Sequence, residues 1–228
     1  MVKPAKWMDL LALVFSLIVI GGASVWMIQS GIFSAASLSA NANAVWYVIR
    51  SAGIAAYVLL LLSMVWGLFI SGQYVKNWSP GPLSLMMHST VSSLALILGF
   101  AHALLLMADS YFSFTLSDIL VPFTGPYRVM AVGLGTLAFW VILVVTVSFP
   151  FKRKIGHKAW LWIHMSSYIA FALVTLHGLT AGTDGTLLGF RIMMAISVVA
   201  VVLLMIVRMV KDQNKAAQQS SVKARRAS

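Results

Sequence analysis

The chain has 228 residues, of which 61% are hydrophobic and only 9% are charged. Soluble domains usually have about 25% charged residues, so this composition excludes an ordinary water-soluble fold and indicates an integral membrane protein. Cysteine is absent, which excludes disulfides, iron–sulfur ligation and thiol nucleophiles. We interpret the formal charge of +11 as a signal of membrane topology and expect no nucleic-acid binding.

Six apolar segments are each long enough to cross a bilayer, which takes about 20 residues. Because backbone groups in lipid must bond within their own segment, each segment is predicted to be an α-helix. The sequence therefore predicts an all-α, six-helix transmembrane bundle at 10–210, between a cytoplasmic N-terminus, 1–9, and a disordered basic cytoplasmic tail, 211–228. The predicted spans are 10–28, 45–70, 83–107, 129–149, 160–180 and 187–210.

Lysine and arginine lie mostly on one side of this six-span arrangement, which marks that side as cytoplasmic. We therefore expect a multi-pass protein of the bacterial inner (plasma) membrane with both termini in the cytoplasm. Asp109, Asp118 and Asp184 then fall in outer loops. The first span has a second interpretation as a cleaved signal peptide, because basic residues precede it and the small residues at 42–44 resemble a cleavage site.

Four histidines lie within the predicted spans, where ionisable side chains are costly and usually functional. His88 and His102 are 14 residues apart in the third span, and His164 and His177 are 13 apart in the fifth. Each separation is roughly 20 Å along a helix, which places one histidine of each span near each membrane face. Since both spans start on the cytoplasmic side, His88 is expected level with His164, and His102 level with His177.

Two imidazoles that face each other across a helix bundle can bind a heme iron from both sides. The sequence therefore predicts two b hemes between the third and fifth helices, one held by His88 with His164 and one by His102 with His177. It predicts no catalytic residue. Zinc is disfavoured, because separations of about 20 Å prevent the ligands from converging on one tetrahedral ion.

The two spans differ in how well they present their histidines. Fourteen residues come close to four full helical turns, so His88 and His102 share a face. Thirteen residues leave His164 and His177 about 140° apart on an ideal helix. A bend, a local change of winding or particular rotamers must therefore turn both inward.

Other interpretations of these residues stay open at this point. The histidines could be a proton relay in a proton-coupled transporter, or could belong to a structural subunit without a cofactor; the absence of Asp and Glu from the spans disfavours the relay. His157 is either a substitute ligand for His164 or an exposed loop residue. Gly99, one turn before His102, would admit either a porphyrin or a closely packed helix.

Three stretches carry a resemblance to known heme proteins: His88 with His102, Arg50 within Ile49-Arg50-Ser51-Ala52-Gly53, and the approach to the fifth helix, with Lys154-Ile155-Gly156, Trp160, Ile163-His164 and His177-Gly178. They resemble the ferric reductase-like transmembrane domain family, which includes the membrane cores of NADPH oxidases and ferric reductases and the heme subunit of bacterial methionine sulfoxide reductase. Over about 45–210 the resemblance implies a six-helix bundle that passes electrons outward through two b hemes. It also implies that Arg50 is a cofactor-binding residue near the outer heme.

The chain departs from the oxidases and ferric reductases of that family, which append a flavin and NADPH domain. With most of its length in spans and no glycine-rich nucleotide fingerprint, it is expected to have no nucleotide-binding domain of its own. We therefore expect the electron-transfer subunit of an oxidoreductase, with lipid around it. Its donor would be a membrane quinol or a separate flavoprotein, and its outer acceptor a ferric chelate, oxygen, a quinone or a docked redox protein.

Overall fold

The computed structural model describes residues 42–77, 79–109 and 111–227, and in this part of the chain it is helical without strands. Within these described residues, five segments are long and apolar enough to cross a membrane, so the chain is an integral, multi-pass membrane protein. The predicted first span at 10–28 and the N-terminal segment 1–9 lie outside the described residues. The candidate spans are Ala44–Ser71, Gly81–Ala108, Val129–Ile155, His157–Ala181 and Leu188–Val222.

The spans are built from long helices and shorter helical pieces. The described α-helices are α1 (Ala42–Ser71), α2 (Gly81–Leu105), α3 (Leu116–Leu120), α4 (Val129–Ser148), α5 (Lys152–Ile155), α6 (His157–Met165), α7 (Ser167–Ala181) and α8 (Leu188–Ala227). Single 3₁₀ turns follow α2, α4 and α7 at Leu106–Ala108, Phe149–Phe151 and Thr183–Thr186. Gly156 separates α5 from α6 with φ +88°, a conformation that L side chains rarely adopt.

The interior of the bundle is formed by pairwise helix packing. α1 packs along α2, α4 packs along α7, and α8 lies against α1. Tyr57 stacks on Phe171 with ring centroids 5.8 Å apart, and its hydroxyl lies 3.3 Å from the Thr175 hydroxyl. Large apolar side chains such as Ile97 and Ile196 are more than half exposed, as expected for helix faces that contact lipid. The buried apolar cluster comprises Tyr57, Leu60, Met64, Leu68, Ala95, Phe171, Met194 and Val201.

The two ends of the bundle differ in charge. One end, called the basic end below, carries Lys76, Lys152, Arg153, Lys154, Lys158 and Lys211. The opposite end, called the aspartate end below, carries Asp109, Asp118 and Asp184. At the basic end Lys211 donates a hydrogen bond to the carbonyl of Gly72 and lies 4.3 Å from the ring of Tyr74, which joins α8 to the connection between α1 and α2.

The connection between α2 and α4 folds back along the bundle at the aspartate end. Its helix α3 begins with a capping box, in which Thr115 and Asp118 each bond the backbone of the other. Hydrogen bonds from Thr115 hold the pKa of Asp118 below its usual range. Trp140 Nε1 of α4 donates to the carbonyl of Leu120 at 2.8 Å, so the connection reaches the side of α4 rather than only its end.

The predicted disordered tail at 211–228 is corrected by the structure, in which α8 continues to Ala227. No glycine or proline follows Gly189, and alanine, glutamine and lysine are good helix formers, so nothing in the sequence ends the helix. Arg208 and Asp212 form an i,i+4 ion pair at 3.8 Å near the end of the apolar part. The change from apolar to polar residues along α8 therefore marks where the helix leaves the apolar environment, and the helix itself continues beyond that point.

Candidate functional site

The structure brings the four intramembrane histidines together as two pairs. The ring centroids of His88 and His164 are 6.0 Å apart, and those of His102 and His177 are 6.2 Å apart. A metal–imidazole bond is about 2 Å long and a ring nitrogen lies about 1 Å from its ring centre, so a metal ion between two imidazoles separates the ring centres by about 6 Å. Both pairs have the spacing that one such ion requires.

Main-chain carbonyls fix the orientation of three of the four rings. Each of these rings donates from Nδ1: His88 to Ser63 at 3.1 Å, His102 to Ile49 at 2.7 Å and His177 to Ala131 at 2.8 Å. A carbonyl oxygen only accepts, so each Nδ1 carries the proton and the lone pair of Nε2 is left for a ligand. Metal-binding histidines usually make such a contact with their second nitrogen.

The fourth ring, that of His164, is oriented by an aromatic neighbour. It stacks on Trp160, one turn earlier in α6, with ring centroids 5.0 Å apart and an angle of 17° between the planes. Trp160 also stacks on His157, at 6.3 Å. His157 itself is exposed at the start of α6 and belongs to neither pair, which favours its interpretation as a surface residue.

A turn at Ser166 explains how His164 and His177 both face the partner helix. The span is interrupted there, between α6 and α7. The Ser166 N–H is shared between the carbonyls of Trp162 and Ile163, each at 3.2 Å, and its hydroxyl donates to Ile163 at 2.6 Å. Shared bonds of this kind tighten the winding locally, and serine bonding back to the preceding turn bends helices. A local change of winding, one of the three possibilities that the spacing left open, is present at Ser166, between His164 and His177.

Glycines on neighbouring helices make room for three of the histidine rings. The pairs are Gly67 with His88, Gly53 with His102 and Gly135 with His177, where an added Cβ would lie 3.1, 3.0 and 2.7 Å from ring atoms. The distance at Gly135 is one that real Cβ atoms essentially never show, and those at Gly53 and Gly67 are tighter than most, so a larger residue would press on the ring. Gly53 and Gly67 are 14 residues apart in α1, the same interval as His88 and His102 in α2. Sequence analysis missed this matched spacing.

A cavity of about 280 Å³ lies beside the pair formed by His102 and His177. Residues of α1, α2, α4, α7 and α8 line it, and it extends toward the loops of the aspartate end. A Cβ added at Gly99 would meet nothing within 4 Å, and Gly99 lines this cavity. Gly99 therefore faces open space beside the histidine pair rather than a closely packed helix.

Arg50 lines the same cavity but is also bound to protein groups. Its guanidinium forms an ion pair with Asp184 and lies 3.9 Å from the ring centroid of Trp46. Asp184 is only 8% exposed, so the pair is largely shielded from solvent. Sequence analysis placed Asp184 in an outer loop without a partner, because the two residues are 134 positions apart and leave no local signal. The implied role of Arg50 toward a cofactor stays a prediction.

The other two arginines at the aspartate end hold the same segment that Asp184 belongs to. Arg128 donates to the carbonyl of Thr180 at 2.6 Å, and Arg191 donates to the carbonyl of Gly185 at 2.6 Å. Together with Arg50, they fix the connection between α7 and α8 at the rim of the cavity.

The chain matches no protein-family model, no curated protein and no solved structure. Its site therefore has to be judged by its own geometry. Among the described residues, no group of three or more His, Cys, Asp or Glu could hold a metal ion. A pair of imidazoles fits a metal that arrives with its other ligands already attached, and heme, with four porphyrin nitrogens, is such a group.

Proposed function

We propose that the chain is a membrane cytochrome b of the ferric reductase-like class, with two b hemes between α2 and the helices α6 and α7. The observation that supports this best is the geometry of the histidines: two pairs at two membrane levels, with ring centroids 6.0 and 6.2 Å apart. When bound, heme supplies reversible one-electron iron chemistry. The protein would then be the electron-transfer subunit of an oxidoreductase.

The residues at each level have defined roles in this proposal. His88 and His164 hold the inner heme, at the basic end, and His102 and His177 hold the outer heme, at the aspartate end. Main-chain carbonyls and glycines position three of the rings, so their Nε2 atoms are presented at low conformational cost. Because His102 and His177 would both hold the iron, an acceptor would be reduced at the rim of the outer cavity instead of binding the iron.

The charge of the two ends supports an assignment of their sides of the membrane. Because positively charged loops stay in the cytoplasm, the basic end is assigned to the cytoplasmic side, and the membrane to the bacterial inner membrane. Electrons would then enter at the basic end, from a membrane quinol or a separate flavoprotein. They would leave at the aspartate end, to a ferric chelate, oxygen, a quinone or a docked protein.

A proton-coupled transporter is the rival function, and the contacts of the histidines disfavour it. A relay needs ring nitrogens that exchange protons with successive partners, whereas three Nδ1 atoms are committed to main-chain carbonyls. Buried apolar side chains, among them Leu60 and Ala95, also lie between the two levels. An absorption spectrum separates the two functions, because a transporter or a bare scaffold has no heme bands.

We expect a pyridine hemochrome assay on the purified chain to find about two b hemes per polypeptide, one for each histidine pair. The protein concentration would be taken from amino-acid analysis, so that heme absorption does not bias the ratio. A firm value of one would mean that one pair binds no heme. If the protein is purified in folded form from heme-replete cells and contains no heme, the proposed function is wrong.

We expect Gly135→Ala to weaken heme binding at the outer pair, because the new methyl group would overlap the His177 ring, which lies 2.7 Å from that position. Overpacking of this kind costs about 1–3 kcal/mol, so heme content should fall toward one per chain. Gly189→Ala is the matched control, since a Cβ added at Gly189 would meet nothing within 4 Å. Equal heme content in the two variants would show that the close contact does not position His177.

A further inference from the structure

Trp160 is a buried residue whose polar atom has no partner. Its side chain is 9% exposed, and among the described residues no group accepts a hydrogen bond from Nε1. Buried donors in folded proteins are nearly always paired, and an unpaired one calls for a specific explanation. An acceptor that the polypeptide does not itself supply would satisfy this N–H.

The position of this donor is beside the inner histidine pair. Trp160 stacks on His164 at 5.0 Å, and it lies one helical turn closer to the basic end. Lys152 Nζ lies 4.2 Å from the centroid of the indole ring. A cation over the face of the indole and an unpaired N–H at its edge therefore lie beside a residue assigned to hold the inner heme.

Among the described residues, no carboxylate forms an ion pair with Lys152 beside Trp160. The ion pairs found in that part of the chain are Arg50 with Asp184 and Arg208 with Asp212, and neither includes Lys152. At the aspartate end, by contrast, the three arginines are taken by acceptors of the protein. The inner site thus offers a hydrogen-bond donor and a positive charge, and a carboxylate is a group that matches both.

We infer that Trp160 Nε1 and Lys152 bind a propionate carboxylate of the inner heme. The inference rests on the proposed function, because the propionates are the carboxylates that heme b brings to its site. Trp160 donates the hydrogen bond and Lys152 supplies the compensating charge, while His88 and His164 hold the iron. Trp160 and Lys152 are positioning residues: they orient the porphyrin and set the energy of its reduction, without contact with the substrate.

Trp160→Phe removes the N–H donor together with the smaller ring of the indole, and keeps an aromatic ring against His164; Trp162→Phe makes the same change in ring size at an exposed position. Lys152→Met removes the charge at similar length. The matched controls are Trp162→Phe, in the same helix but 74% exposed, and Lys76→Met, an exposed cation of the same end. Heme content is measured first and should match wild type in the two controls, and the potentials of Trp160→Phe and Lys152→Met are read on the heme that each variant retains.

The readout is a redox titration of the purified full-length chain. Without Lys152 the propionate charge is uncompensated, so reduction of one of the two hemes should become roughly tenfold less favourable, a midpoint potential about 59 mV lower. Trp160→Phe should shift the same heme in the same direction by a smaller amount. The two controls should leave both midpoints where they are in wild type.

Reconstitution with heme dimethyl ester, whose propionates are uncharged, completes the test. The effect of Trp160→Phe should largely disappear with the ester, because the charged acceptor is gone. Unshifted potentials in Trp160→Phe and Lys152→Met, or a Trp160→Phe shift of the same size with the ester, would overturn the inference while leaving two bound hemes intact. Absence of heme from wild-type protein would instead defeat the proposed function, and this inference with it.

Discussion

Replacement of His102 or His177 by alanine is expected to remove the outer heme and to leave the spectrum of the inner heme in place. Replacement of His88 or His164 should do the reverse. The reason is that a low-spin b heme needs both axial imidazoles, so either member of a pair is indispensable. Pyridine hemochrome content should fall from about two to about one per chain in each variant, and the two classes of variant should retain spectrally different hemes.

The control for this experiment is His157→Ala, which changes the exposed histidine beside the inner pair and should keep both hemes. Gel filtration in detergent would confirm that every variant remains folded and monodisperse. Loss of heme from His157→Ala, together with its retention in His164→Ala, would show that the inner ligand has been assigned to the wrong residue.

The second large effect concerns the electron donor. The described connections at the basic end are short, and the sequence has no glycine-rich nucleotide fingerprint. We therefore expect NADPH alone to leave the hemes oxidised, because splitting a hydride into single electrons requires a flavin. A membrane quinol or a separate flavoprotein should reduce them, as followed by stopped-flow absorption. Rapid reduction by NADPH alone, in protein free of contaminating flavoproteins, would contradict this expectation.

Charge reversal distinguishes the two kinds of donor. Arg153 and Lys154 are exposed at the basic end, where they would attract an acidic partner protein. Arg153→Glu with Lys154→Glu should slow reduction by such a flavoprotein roughly tenfold at low salt, with little difference at high salt. Reduction by a quinol, which reaches the protein through the lipid, should be unchanged. An equal effect on both donors would indicate damage to the inner site instead of lost steering.

The arrangement of the histidines could be anticipated from the sequence because an α-helix has a fixed rise. Spacings of 14 and 13 residues in two spans that run in the same direction place four rings at two levels. The structure brings together the same two pairs. The charge difference between the ends was visible for a similar reason, since it depends only on where lysine and arginine fall between apolar segments.

The contacts that complete each pair were not visible in the sequence, because they join residues far apart along the chain. Gly135 makes room for His177 from another helix, and Asp184 binds Arg50 across 134 positions. The turn at Ser166 is local, but a serine in a span is equally compatible with a straight helix. The polarity of the segment 211–227 predicts disorder, but its residues favour a helix, and the structure has a helix there.

The layer between the two histidine levels has a consequence for energy coupling. Leu60, Ala95 and Phe171 are buried there, and Ala95 is seven residues from both His88 and His102, about 10 Å along the helix in each direction. Because most side chains of this layer are apolar, it opposes the passage of hydrated ions, whereas electrons can tunnel through it. Electron transfer between the levels would therefore be electrogenic.

Voltage would then act directly on the rate. A full crossing of the membrane by one charge is worth about 2.3 kcal/mol per 100 mV, and the two levels, roughly 20 Å apart, span about two thirds of a hydrocarbon core about 30 Å thick. With the cytoplasm negative, the field pushes electrons outward, in the direction proposed for this chain. An energised membrane would thus accelerate reduction of the outer acceptor, and each turnover would dissipate part of the voltage that drives it.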